Sequence, residues 1–149
     1  MNRNIHAAIT IVFAAAILSL ALPSASATFE KKACTPGYWK NNTDTNGWDE
    51  LDGLNLRAEV LTITGLDLGP DAEITLSDAV ALKGGGQNAV FRYAAAGVYN
   101  TYAGIGYPLD WFTEAINRFL SNNTSGAIQK FELISSLGCP IDAFGRVIQ

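Results

Sequence analysis

The chain has 149 residues, 48% of them hydrophobic, with fourteen acidic and ten basic side chains and a net charge of −4. That length supports one domain with a buried core. The acidic balance argues against nucleic acid and against an anionic membrane surface, since both call for a basic face.

Residues 1–27 read as a secretory signal peptide. Arg3 charges a short polar start, Ala7 to Leu22 form an apolar run, and Ala25-Ser26-Ala27 offers a small-residue cleavage site. The run is shorter than the ~20 apolar residues of a spanning helix. Cleavage after Ala27 is therefore expected, releasing a protein with no membrane attachment. The mature part keeps all fourteen acids against nine cations, net −5, and loses His6, the only histidine. Without histidine it lacks the means for a Ser-His-Asp or Cys-His mechanism, and the usual zinc sites are closed to it.

Cys34-Thr-Pro-Gly-Tyr-Trp-Lys-Asn-Asn42 follows a short polar lead, and the second cysteine, Cys139, stands near the opposite end. Two cysteines in an exported chain are most simply one disulfide, with pairing between subunits as the alternative. The intramolecular bond is the expectation, because both cysteines adjoin Pro/Gly turns. Asn41 to Gly53 is crowded with turn residues and reads as a surface loop with Trp48 turned inward. Leu54 to Leu68 alternates apolar and polar residues and is β-branched near Val60. One or two short strands, or a single irregular helical turn, both fit it.

From residue 76 the pattern is helical. Thr75-Leu-Ser-Asp78 resembles a capping box opening a short helix, broken by Gly84-Gly85-Gly86. Gln87 to about Ala103 is the longest periodic stretch. Phe91, Ala95, Val98 and Tyr102 share one face, and its alanines and Gly97 allow close approach, so it is the expected central helix. Pro108 opens the next helix, with Leu109, Phe112, Ile116 and Phe119 on one stripe. Ser125 is a plausible cap for the last, which carries Ile128, Phe131, Ile134 and Leu137 and ends at Gly138. The tail, 139–149, holds the apolar residues Phe144, Val147 and Ile148.

Tyr38, Trp39, Lys40 and Trp48 are the candidate binding residues. Exposed Trp and Tyr faces stack on sugars or anchor a protein partner; the competing reading, and the favoured one, buries the rings beside the disulfide. Trp111 falls just off its helix stripe, at a core edge or a surface contact. Asp44, Asp49, Glu50 and Asp52 are oxygen ligands of the kind calcium takes. Trp48 and Glu50 break the EF-hand spacing, however, and solvated loop charge is the preferred reading, so no metal or cofactor is expected. The same holds for Asp67, Asp71, Glu73 and Asp78. Lys83-Gly-Gly-Gly86 lacks the order of a phosphate-binding P-loop and reads as a helix–helix turn.

The stretch from Cys34 to Asn41 is similar to the opening motif, CTPGYWKNH, of a broad group of exported bacterial and archaeal proteins. The resemblance extends through Leu76 to Gly86, the alanine-rich helix, Tyr107-Pro108-Leu109 and Leu137 to Pro140. It implies an extracellular setting and a single domain, and no reaction. Asn42 stands where the pattern usually has histidine.

The expected fold is mainly α. A bundle of about four helices fills 76–138, and an irregular or short-stranded segment over 28–75 is tied to the C-terminal end by one disulfide. The expected function is a non-enzymatic, secreted structural or interaction module, a self-assembling surface, matrix or filament subunit using Phe144, Val147 and Ile148. A glycan-binding module using Tyr38 and Trp39 is the alternative, and a glycoside hydrolase with paired carboxylates is a second.

Overall fold

The computed structural model describes residues 30–44, 47–142 and 145–148. The signal-peptide reading, its cleavage after Ala27, and Phe144 lie outside these residues. Six α-helices are present among them: α1 Pro36–Asn42, α2 Leu56–Thr64, α3 Leu76–Ala81, α4 Gln87–Tyr102, α5 Leu109–Leu120 and α6 Thr124–Ser135. None is long and apolar enough to cross a membrane.

The four helices expected after residue 75 are in place. At the start of α3, the Thr75 hydroxyl accepts a hydrogen bond from the Asp78 N–H at 3.1 Å and donates to Asp78 Oδ2 at 2.8 Å. That reciprocal pairing satisfies a donor that a helix start leaves open. α4 packs against each of the other five helices, and its side chains are buried all round from Ala94 to Asn100. It is the axis of the fold. Its small residues permit this, since three alanines and a glycine let neighbouring helices come close. α6 starts two residues earlier than a Ser125 cap would have it, because Asn123 Oδ1 accepts the Gly126 N–H at 2.9 Å and supplies the cap instead.

The segment before residue 76 is more helical than its residues suggest. Thr35 caps α1, its hydroxyl accepting from the Tyr38 N–H, and Pro36 occupies the first helical position where a missing N–H costs nothing. α2 forms where short strands or a single turn were expected. Asn55 Oδ1 accepts from the Ala58 N–H at 3.0 Å, and Gly65 closes the helix in the left-handed region at φ 74°. Leu56 and Val60, four residues apart, are then brought to the core together. The β-branched residues that favour a strand are accommodated differently. Thr62 and Thr64 turn their hydroxyls back onto the carbonyls of Ala58 and Val60, at 2.9 and 2.7 Å. Arg57 binds outside, donating to both Asp67 oxygens at 2.6 Å and to Glu73 at 2.8 Å. That guanidinium holds the Asp67 carboxyl down at about 2.

The N-terminal lead crosses the bundle and is sutured at both sides. The Lys32 N–H donates to the Gly106 carbonyl at 3.3 Å and the Ala33 N–H to the Gly138 carbonyl at 2.9 Å. Cys34 then bonds to Cys139 within the same chain, across 105 residues of sequence. After Cys139 the tail folds back on itself, with Ile141 opposite Val147 in an antiparallel pair.

At Gly97 packing alone requires a glycine. A methyl group at Gly97 would stand 2.6 Å from Phe112 Cε2 and 2.8 Å from Tyr107 Oη, and Phe112 is fully buried. The substitution Gly97→Ala is expected to lower stability by about 2 kcal/mol, since so close a contact falls high in the ~1–3 kcal/mol range for overpacking. Better helix propensity returns at most ~1 kcal/mol. Urea denaturation measures the difference; a variant as stable as the parent would mean α4 and α5 are less closely packed than this.

Candidate functional site

Tyr38, Trp39 and Trp48 do come together, but around a core and not around a ligand. Trp39 has 0% of its surface exposed. Its ring stacks on Tyr99 with centroids 5.1 Å apart and planes 15° from parallel, while Tyr38 and Trp48 meet it edge-on at 5.1 and 5.6 Å. Trp39 therefore has no free face for sugar stacking, while Tyr38 and Trp48 are half-buried against the core. The cause is the start of α1: Thr35 and Pro36 set a helix whose fourth residue points at α4. Lys40 leaves the cluster and lies exposed on the outer side of α1.

The polar atoms at the centre of this cluster belong to Asn100, which is 1% exposed. Its Oδ1 accepts two hydrogen bonds, from the Cys34 N–H at 2.9 Å and from Trp39 Nε1 at 3.1 Å. Its Nδ2 donates to the Cys34 carbonyl at 2.9 Å. One side chain thus satisfies both backbone groups of Cys34 and the indole of Trp39, using both lone pairs of its carbonyl. The disulfide and the aromatic cluster are joined through it to α4. Sequence reasoning passes over Asn100, although a lone amide inside the apolar run of α4 is a signal that a buried partner is needed.

The acidic candidates disperse. Asp52 accepts a hydrogen bond from the Tyr99 hydroxyl at 2.6 Å, and burial together with that carboxylate raises the phenol above its ordinary pKa. Asp44, Asp49 and Glu50 are exposed on the turn after α1 and the short 3-10 helix Trp48–Leu51. Among the described residues no three carboxylate, histidine or cysteine side chains gather as a metal would need. Asp67 and Glu73 share Arg57, Asp71 accepts from Gln87 and Asp78 caps α3. Asp67, Asp110 and Glu114 are each held below the usual carboxyl range, chiefly by hydrogen bonds from Arg57, Lys31 and Lys130. A glycosidase's general acid needs the opposite shift.

Trp111 is half-buried at the edge of α5 and is covered by charge. Lys31 Nζ lies 4.4 Å and Lys130 Nζ 4.7 Å from its ring centroid. Each lysine is held there by a carboxylate, Asp110 at 3.0 Å and Glu114 at 2.5 Å. These contacts make the ring a core edge closed by cation–π packing.

The tail divides its apolar residues. Ile141 is buried on the core, whereas Val147 and Ile148 are 45% and 58% exposed. With Ile105 and Pro140 they line a groove of about 300 Å³ beside the disulfide. The Ile148 N–H donates to the Pro140 carbonyl and the Asp142 N–H to the Arg146 carbonyl, at 2.6 and 2.9 Å. In an antiparallel pair that pattern turns the N–H and C=O of Val147 outward.

No family model, curated protein or solved structure matches this chain.

Proposed function

We propose that this protein is a non-enzymatic, exported structural or interaction module that associates with copies of itself through its tail. The motivation for export is the leader over residues 1–27 and the disulfide, a bond that forms and persists in oxidising compartments and is rare elsewhere. The likeness of its Cys34-to-Asn41 motif to the CTPGYWKNH group points the same way. The motivation for self-association is the exposed pair Val147 and Ile148 on an edge whose backbone groups face out. An unpaired edge with apolar side chains is a template for another strand, and a second copy presents the same edge for an isologous pairing about a two-fold axis. This reading leaves the glycan alternative without Trp39, whose ring has no free face.

Sedimentation velocity over a wide concentration range tests it. The expected result is concentration-dependent association that weakens at least tenfold in Val147→Lys/Ile148→Lys, with the helical circular dichroism unchanged. A protein that stays monomeric at millimolar concentration and forms no filaments defeats the reading.

A further inference from the structure

Among the described residues, six cationic side chains stand within ion-pair distance of a carboxylate: Lys31, Lys32, Arg57, Arg118, Lys130 and Arg146. The three others are Lys40, Lys83 and Arg92. All three line one groove of about 340 Å³ between α1, the end of α3 and α4, and no carboxylate lines it. In a chain whose acids outnumber its bases, this gathering runs against the general charge balance. Three like charges around one depression repel each other, and they focus a positive potential into it.

The groove is also built to hold its charge in place. Arg92 Nη1 donates to the carbonyls of Leu82 and Gly84 at 2.7 and 3.1 Å. Main-chain oxygens orient the guanidinium without neutralising it, and of its five N–H donors those on Nε and Nη2 stay free. Two stretches that look unrelated along the chain meet here: Lys40 ends the Pro-Gly-Tyr-Trp-Lys run, and Lys83 begins the triple-glycine turn. Between the charged groups the walls carry carbon, from Pro36, Val80 and the ring of Tyr93. A space of this volume with apolar walls takes a molecule with a carbon frame in preference to a bare ion.

We infer that the groove between α1, α3 and α4 binds an organic anion, its carboxylates meeting Lys40, Lys83 and Arg92 and its carbon frame lying on Pro36, Val80 and Tyr93. The chemistry is shared by free polycarboxylic acids and by the uronate residues of acidic glycans. It is independent of the tail, so self-association and anion binding fail or succeed separately.

The test is amide chemical-shift titration at low salt, with protein expressed from the full-length sequence and citrate, trigalacturonate, maltotriose and inorganic phosphate as probes. Expected is saturable binding of citrate, trigalacturonate or both, with shifts at Gly37, Lys83 and Arg92 and none from neutral maltotriose. Binding of the trimer alone assigns the groove to a glycan; binding of citrate assigns it to a free acid. Lys40→Ala/Lys83→Ala removes two exposed side chains that make no hydrogen bond or ion pair among the described residues, and it should weaken binding at least tenfold. Raising the salt should do the same. The inference is overturned if neither organic anion binds, if the double variant binds as tightly as the parent, or if phosphate binds as tightly as the organic anions.

Discussion

Replacing both cysteines, Cys34→Ala/Cys139→Ala, is expected to cost up to about 4.7 kcal/mol of stability. This is the chain-entropy figure for a closed loop of about a hundred residues, and the bond here spans 105. Alanine is the right replacement because Cys34 is buried at 1% exposure and a serine hydroxyl would need a partner. A domain of this size has about 5–15 kcal/mol to lose. With a urea m-value of about 2 kcal/mol/M, the midpoint should fall by roughly 2 M. Reduction of the parent protein should reproduce the shift. A midpoint that moves by less than a few tenths molar would mean that backbone bonds from Lys32 and Ala33 hold the lead in place unaided.

Asn100→Ala should be nearly as damaging, though it removes only a few atoms. It leaves the N–H and C=O of Cys34 and the indole N–H of Trp39 without partners in the interior. Each orphaned group costs about 1–3 kcal/mol, so a loss of about 3–5 kcal/mol is expected after local relaxation. Asn100→Asp separates hydrogen bonding from shape. Its carboxylate keeps the acceptor for Cys34 and Trp39 but has no donor for the Cys34 carbonyl and carries a buried charge. Burial should raise its folded pKa above the unfolded value of about 3.9. The protonated form can donate to that carbonyl, so the stability is present below the unfolded pKa and is lost as pH rises through the folded one. Urea melts of this variant and the parent at pH 4 and pH 7 should therefore differ more at pH 7. An Asn100→Ala cost below 1 kcal/mol, or a pH-independent difference for Asn100→Asp, would remove Asn100 from the clasp.

The two variants meet at Cys34, so their effects should not add. The disulfide restrains the unfolded chain, whereas Asn100 acts on the folded one. Without the bond, part of the lead can peel away and relieve the unpaired groups, making the combined loss smaller than the two losses together.

Much of the framework is legible in the residues themselves. The helices after residue 75 announce themselves by local signals: the Thr75–Asp78 box, the alanine-rich run of α4, the stripe through Phe112 and Ile116. Two of the stripe positions lie outside the packed core. Tyr102 and Leu109 are 47% and 44% exposed, because a 3.6-residue period marks a face without saying where a neighbour's coverage ends. Tyr102 instead donates its hydroxyl to Glu59 at 2.5 Å. α2 departs from expectation for the opposite reason. Its β-branched residues weigh toward a strand, while Asn55 and Gly65 at its two ends signal a helix, and the burial of Leu56 and Val60 decides between them.

By itself the sequence reduced the covalent clasp to one pairing within a chain, with a bond between subunits as the alternative that the structure closed. The sequence also determined the axis, since only a helix of small residues admits neighbours on every side. Tertiary structure alone decided what each conspicuous residue is for. Burial took Trp39 out of reach of any ligand and turned Asn100 into the hub of the clasp. Proximity across more than forty residues drew Lys40, Lys83 and Arg92 around one groove. Periodicity and capping are properties of neighbours along the chain. Burial and charge gathering depend on distances through space, which exist only once the helices have packed.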